Sequence, residues 1–117
     1  MVDKRGLQSK RYAVTAAEAN IGTVVASNTR RYIYRVKVQD DSGAPNLVEL
    51  KKQPPGTPAP AIEVVDQFRL DVASETYVDP DELNEDALPL YILETGCQMR
   101  AVGTGVASLL LEYEDSE

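Results

Sequence analysis

The stretch Arg31-Tyr32-Ile33-Tyr34-Arg35-Val36-Lys37-Val38-Gln39 decides the fold class. Tyr32, Tyr34, Val36 and Val38 alternate with Ile33, Arg35, Lys37 and Gln39. Successive side chains of a strand point to opposite faces. A period of two carried by aromatic and β-branched residues therefore predicts a half-buried antiparallel strand, with the tyrosines and valines inward. Asp40-Asp41-Ser42-Gly43 ends it with turn chemistry. Residues 46–51 alternate again with Val48 and Leu50 inward, so the two segments are expected to form a hairpin around residues 40–45.

The same pattern extends in both directions. Residues 10–15 read as a first strand and residues 21–27 as a second, with Ser27-Asn28-Thr29 as a turn. Downstream, residues 62–65 and 67–72 are strand-like, the latter with Phe68, Leu70 and Val72 inward. Residues 88–93, 97–102 and 106–113 close the chain, and Leu109-Leu110-Leu111 suggests burial on both faces of the last strand. Pro89 puts the start of its segment at an edge or a bulge. About eight short strands, separated by turn signals and without a long helical period, predict an all-β fold. The expected architecture is an antiparallel β-sandwich, jelly-roll-like, spanning residues 12–113. A flexible basic N-terminal arm (residues 1–11) precedes it and an acidic tail (residues 114–117) follows.

Composition removes whole classes of chemistry. The 117 residues contain no His, no Trp and a single Cys, Cys97. Without imidazole there is no Ser-His or Cys-His nucleophile pair and no His metal ligand. One cysteine forms neither an intramolecular disulfide nor a thiolate cage, and Cys97 is expected to be a small buried hydrophobe. No run approaches the roughly 20 apolar residues of a membrane helix. Met1-Val2-Asp3-Lys4-Arg5-Gly6 has no apolar run behind it and does not read as a signal peptide. Synthesis in a cytoplasm, with no secretion by a signal peptide, is the expectation. No catalytic residues, no metal site and no cofactor are assigned.

Charge is divided unequally along the chain. Residues 1–52 hold ten basic residues against five acids, whereas residues 53–117 hold two against fourteen, which gives the net −7. Either strands from the two halves interleave and neutralise one another, or the molecule has unlike faces suited to contacts between neighbours. A chain of net charge −7 repels phosphate unless its basic residues gather in one patch, so nucleic acid is disfavoured as a partner.

Three groups of residues are candidate partner contacts. The arm carries Lys4, Arg5, Lys10 and Arg11. The predicted strand places Arg31, Arg35 and Lys37 together on its solvent face. The segment Pro54-Pro55-Gly56-Thr57-Pro58-Ala59-Pro60 holds four of the seven prolines, Pro54, Pro55, Pro58 and Pro60. Proline lacks an N–H and fixes φ, so this piece is an exposed loop, either a stiff connector or a contact for a neighbouring subunit. The acids Asp79, Asp81, Glu82, Glu85 and Asp86 fit a capped helical turn, with Asp79 as the cap and Pro80 at the first position, or a Ca²⁺ site.

Three pieces of sequence are shared in character with a known group. They are residues 24–32 leading into the strong strand, the predicted hairpin through Asn46-Leu47-Val48-Glu49-Leu50, and the closing run from Leu90-Tyr91-Ile92-Leu93 to Ser108-Leu109-Leu110-Leu111-Glu112-Tyr113. From Ile21 to Glu117 the chain resembles small all-β capsid decoration, cement and minor head proteins of tailed viruses. The resemblance implies a structural role at the capsid surface of a virion and capsid or other structural subunits as partners. It also implies a homo-oligomer, often a trimer, and an arm reaching over neighbours. It brings no catalytic residues. The competing expectation is a β-sandwich module that binds carbohydrate or another small ligand, with Ca²⁺ at the acid-rich turn.

Overall fold

The computed structural model describes residues 7–41, 45–56, 61–72, 75–80 and 88–116. Among the described residues there are nine strands: β1 (Gln8–Val14), β2 (Ala19–Ile21), β3 (Arg30–Asp40), β4 (Asn46–Gln53), β5 (Glu63–Leu70), β6 (Thr76–Asp79), β7 (Tyr91–Leu93), β8 (Gln98–Gly103) and β9 (Ala107–Ser116). Every pairing is antiparallel. One sheet runs β1-β9-β3-β6, with β7 also on β3, and the other runs β2-β8-β4-β5. Leaving out β7, which only extends the β6 edge, this is the order of an eight-strand jelly roll, two four-stranded sheets face to face. The sandwich forms a slab 17 Å thick and about 42 Å across.

Alternation fills the space between the sheets. Ala107, Leu109, Leu111 and Tyr113 of β9, with Val36 and Val38 of β3, face Val48 and Leu50 of β4, Met99 and Ala101 of β8, and Phe68 and Leu70 of β5. Cys97 lies in this core, 2% exposed. Leu110, between two fully inward leucines, is half-buried on the outer face, so β9 is covered mainly from one side.

The expected hairpin at residues 40–45 does not form. The free edges of β3 are occupied by β9 on one side and by β6 and β7 on the other, which leaves no edge for β4. The chain instead crosses from one sheet to the other, and β4 pairs with β8 and β5. Asp40 and Asn46 meet at the crossing, with Asn46 Nδ2 donating to Asp40 Oδ1 at 3.2 Å. Among consecutive strands of the described residues, β4 and β5 form the within-sheet hairpin, so the proline-rich segment joins two paired strands.

Four boundaries also differ from expectation. β1 begins at Gln8 and pairs with β9 through Tyr113, so Lys10 and Arg11 belong to a strand and not to an arm. β9 continues to Ser116 opposite Arg30, so Glu114 and Asp115 are paired strand residues and not a tail. The strand expected at residues 21–27 is confined to Ala19–Ile21, because Gly22 turns the chain with φ 77°. Val72 lies past the end of β5 and is 65% exposed.

Candidate functional site

A single extra residue rearranges the face of β3. Opposite β9 the register passes from Ile33↔Tyr113 to Arg35↔Glu112, so Tyr34 is the extra residue of a β-bulge. A bulge shifts the parity of all residues on one side of it. Beyond it, Val36 and Val38 point inward and Arg35, Lys37 and Gln39 outward, as the sequence predicts. Before it the pattern is reversed: Arg31 and Ile33 point inward, and Tyr32 is half-buried on the outer face. Arg31 therefore does not share a face with Arg35 and Lys37. The sequence signal for this was the apolar pair Ile33-Tyr34 inside an otherwise alternating strand.

Arg31 is 8% exposed and fully engaged. Its Nε donates to Asp115 Oδ1 at 2.8 Å and its Nη2 to Asp115 Oδ2 at 3.0 Å. Nη1 donates to the Thr23 carbonyl at 2.9 Å, and the guanidinium lies 5.0 Å from the ring centroid of Tyr113. The hydrogen bonds to Asp115 raise its pKa further above an already high value, against the opposing cost of burial. It is a structural cation.

The remaining cations sort by face. On the outer face of the β2-β8-β4-β5 sheet, Glu18 takes Lys51 Nζ at 2.7 Å and Arg100 Nε at 2.8 Å. The hydrogen bonds from Lys51 and then Arg100 hold the Glu18 carboxyl below its ordinary value. Gln67 Nε2 donates to Glu49 at 2.7 Å on the same face. This surface is tiled with matched charges.

The outer face of the β1-β9-β3-β6 sheet is different. Arg35 lies 3.6 Å from Glu112 and donates to the Pro80 carbonyl. The next row reads Arg11 on β1, Leu110 on β9 and Lys37 on β3, aligned by register across three strands. Among the described residues neither Arg11 nor Lys37 makes an ion pair. Two strand spacings separate them, roughly 10 Å. With Gln39 and Ser108 they border a shallow depression over Leu110.

The other candidates are dispersed. Lys10 shares a face with Leu111 at the open edge and is exposed, where an inward-pointing charge discourages strand addition. Pro54 is half-buried and Pro55 exposed, packed beside Gly96. Lys4, Arg5, Pro58, Pro60 and the acids Asp81, Glu82, Glu85 and Asp86 lie outside the described residues, as does the rest of the acid-rich turn beyond Pro80. Among the described residues no three carboxylate or thiolate groups gather as a metal site, and no helix is long and apolar enough to cross a membrane.

Sequence reasoning did not anticipate a cleft of about 390 Å³ where β3 begins and β7 ends, lined by Asn28, Thr29, Arg30, Tyr32, Glu94 and Thr95. Arg30 Nε sits 3.0 Å from Glu94 Oε2, and the Arg30 pKa is raised by its hydrogen bond with Tyr32 and by Glu94.

No family model matches the chain, and no curated protein matches it. Among solved structures it is similar to a chain in the structure of infectious bursal disease virus, Gx strain, with 15% identity and a TM-score of 0.39. The alignment covers 92% of this chain and 30% of the viral chain, so the protein spans under a third of that neighbour's length.

Proposed function

We propose that the chain is a structural virion protein, a capsid decoration, cement or minor head protein, that stabilises an assembly by protein–protein contacts and carries out no catalysis. The observation that carries this is the Arg11–Leu110–Lys37 row. Two cations that pair with no acid among the described residues flank a half-buried leucine on one face, while Glu18 pairs with Lys51 and Arg100 on the opposite face. Such a row suits an extended partner segment presenting acids on either side of an apolar residue. The flat outer faces of a jelly roll favour broad, shallow contacts over a substrate pocket. Capsid domains are among the uses of this architecture, an analogy of fold that supports the reading. Many weak contacts on a lattice add through effective concentration. The partner is a capsid or other structural subunit, and the protein itself is a homo-oligomer, for which a trimer is the expected form.

Light scattering on the purified protein tests this. At about 50 mM salt the native mass should exceed that of the 12.8 kDa chain and fall as salt shortens the Debye length. An R11E/K37E double variant should be a folded monomer. A monomeric wild type at low salt, or a double variant that assembles unchanged, would overturn the proposal.

A further inference from the structure

The geometry points to the cleft between the start of β3 and the end of β7 as a binding site for a neutral saccharide. Its chemistry has two parts. One is apolar: the half-buried Tyr32 lines the cleft, and its register partner Ile92, 45% exposed, stands beside it on the outer face without lining the cleft. The other is polar: Asn28, Arg30 and Glu94 line the same cleft. A pyranose ring has this division, with a C–H face that packs on an aromatic ring and a rim of hydroxyls that pair with planar amide, guanidinium and carboxylate groups.

Charge selects among ligands. Arg30 and Glu94, the charged residues lining the cleft, form an ion pair with side chains 59% and 60% exposed, and Glu114, opposite Tyr32 on β9, sets a further carboxylate beside it. A phosphate or an acidic peptide would meet the Glu94 carboxylate, and a cation would meet Arg30. A neutral polyol can bond both partners without breaking the pair.

The walls are also held in place. Thr95 Oγ1 donates to the Thr29 carbonyl at 2.6 Å and accepts the Thr29 N–H at 3.3 Å, stapling the turn before β3 to the turn after β7. Thr29 Oγ1 donates to the Ser27 carbonyl at 3.1 Å, and Asn28 holds a left-handed φ of 58°. Preorganised walls lower the ordering cost of binding. The volume of about 390 Å³ lies within the roughly 300–1,000 Å³ range of ligand clefts. This site is separate from the Arg11–Leu110–Lys37 row, so either can fail without the other.

Affinity electrophoresis through gels containing dextran, mannan or galactan is the test. At least one polymer should retard the wild-type chain, and Tyr32→Ala should lose at least about tenfold in affinity, as loss of one stacking ring implies. Asn28→Gly keeps a residue at ease with positive φ and removes the amide, so it should fold normally and bind several-fold more weakly. Val72→Thr, at an exposed position past the end of β5, should bind like wild type. Absence of retardation in all three gels, equal retardation of wild type and Asn28→Gly, or competition by polyglutamate would each overturn the assignment.

Discussion

Arg31 and Asp115 lie 84 positions apart in the chain and meet through two parallel hydrogen bonds of 2.8 and 3.0 Å. The pair fastens the last residues of β9 to the first of β3 and, through Thr23, to the loop after β2. The two partners differ in exposure: the Arg31 side chain is 9% exposed and that of Asp115 30%.

That difference predicts an asymmetry. Asp115→Ala leaves an uncompensated cation under cover and should destabilise the fold by about 2–4 kcal/mol, somewhat less than for a fully buried pair. Arg31→Met keeps the apolar stem and leaves a carboxylate that turns to water, so about 1–2 kcal/mol is expected. Urea denaturation of both variants checks the order, and equal losses would contradict it.

Asn46 fastens the crossing between the sheets. Its Oδ1 accepts from the N–H groups of Thr104 and Gly105, each at 3.1 Å, and its Nδ2 reaches the Val106 carbonyl at 3.2 Å. Asn46→Ala deprives those part-buried groups of a buried amide and should lose about 1–2 kcal/mol. Hydrogen exchange at Thr104 and Gly105 should accelerate before global unfolding; unchanged protection there would show that the amide is not the clamp.

At Gly96, φ is +86° and an added Cβ would sit 2.8 Å from Pro55 Cβ. Gly96→Ala should therefore cost about 1–3 kcal/mol from backbone strain and overlap together. Pro55→Ala removes the proline ring in contact with that position. In a double-mutant cycle the two changes should couple favourably, and strict additivity of the two melting temperatures would rule out the contact.

Glu18 gives the face of the β2-β8-β4-β5 sheet a pH signature. Its carboxyl is lowered from 4.5 by Lys51 and then Arg100. A lowered folded-state pKa contributes stability that is complete above the unfolded value and is lost as pH falls through the folded one. Glu18→Gln should lower the urea midpoint at pH 7, and the gap from wild type should close under acid conditions below the ordinary carboxylate range. A gap independent of pH would mean that the charge is not the cause.

The start of β1 at Gln8 separates two truncations. Removing residues 1–6 leaves the whole of β1 on β9 and should keep stability within about 1 kcal/mol of wild type. Removing residues 1–11 strips most of β1 from β9 and uncovers that side of Leu111 and Tyr113. Calorimetry should show a large loss only for the second.

Much of the fold was legible because alternation is a local signal. Val48, Leu50, Phe68 and Leu70 announce their inward positions by spacing, and all are buried. Interleaving of the two charged halves was also within reach. Each sheet alternates a strand from the basic half with one from the acidic half, and Arg30–Glu94, Arg31–Asp115 and Arg35–Glu112 are ion pairs across that division. The site was less legible. The bulge at Tyr34 reverses alternation for Arg31 and Tyr32, which removes one candidate cation from the surface and places Tyr32 in the cleft.

The sequence by itself determined an all-β sandwich, the inward residues of β4 and of β3 beyond its bulge, and the lack of an imidazole or a second thiol for chemistry. Those properties follow from side-chain type and period, which neighbouring residues share. Tertiary structure alone decided that β3 and β4 lie in opposite sheets, that Arg31 is buried and that Arg11 and Lys37 flank Leu110. Each of these depends on which strand occupies a given edge, and strands distant in the chain compete for that edge through backbone hydrogen bonds that every residue type can make.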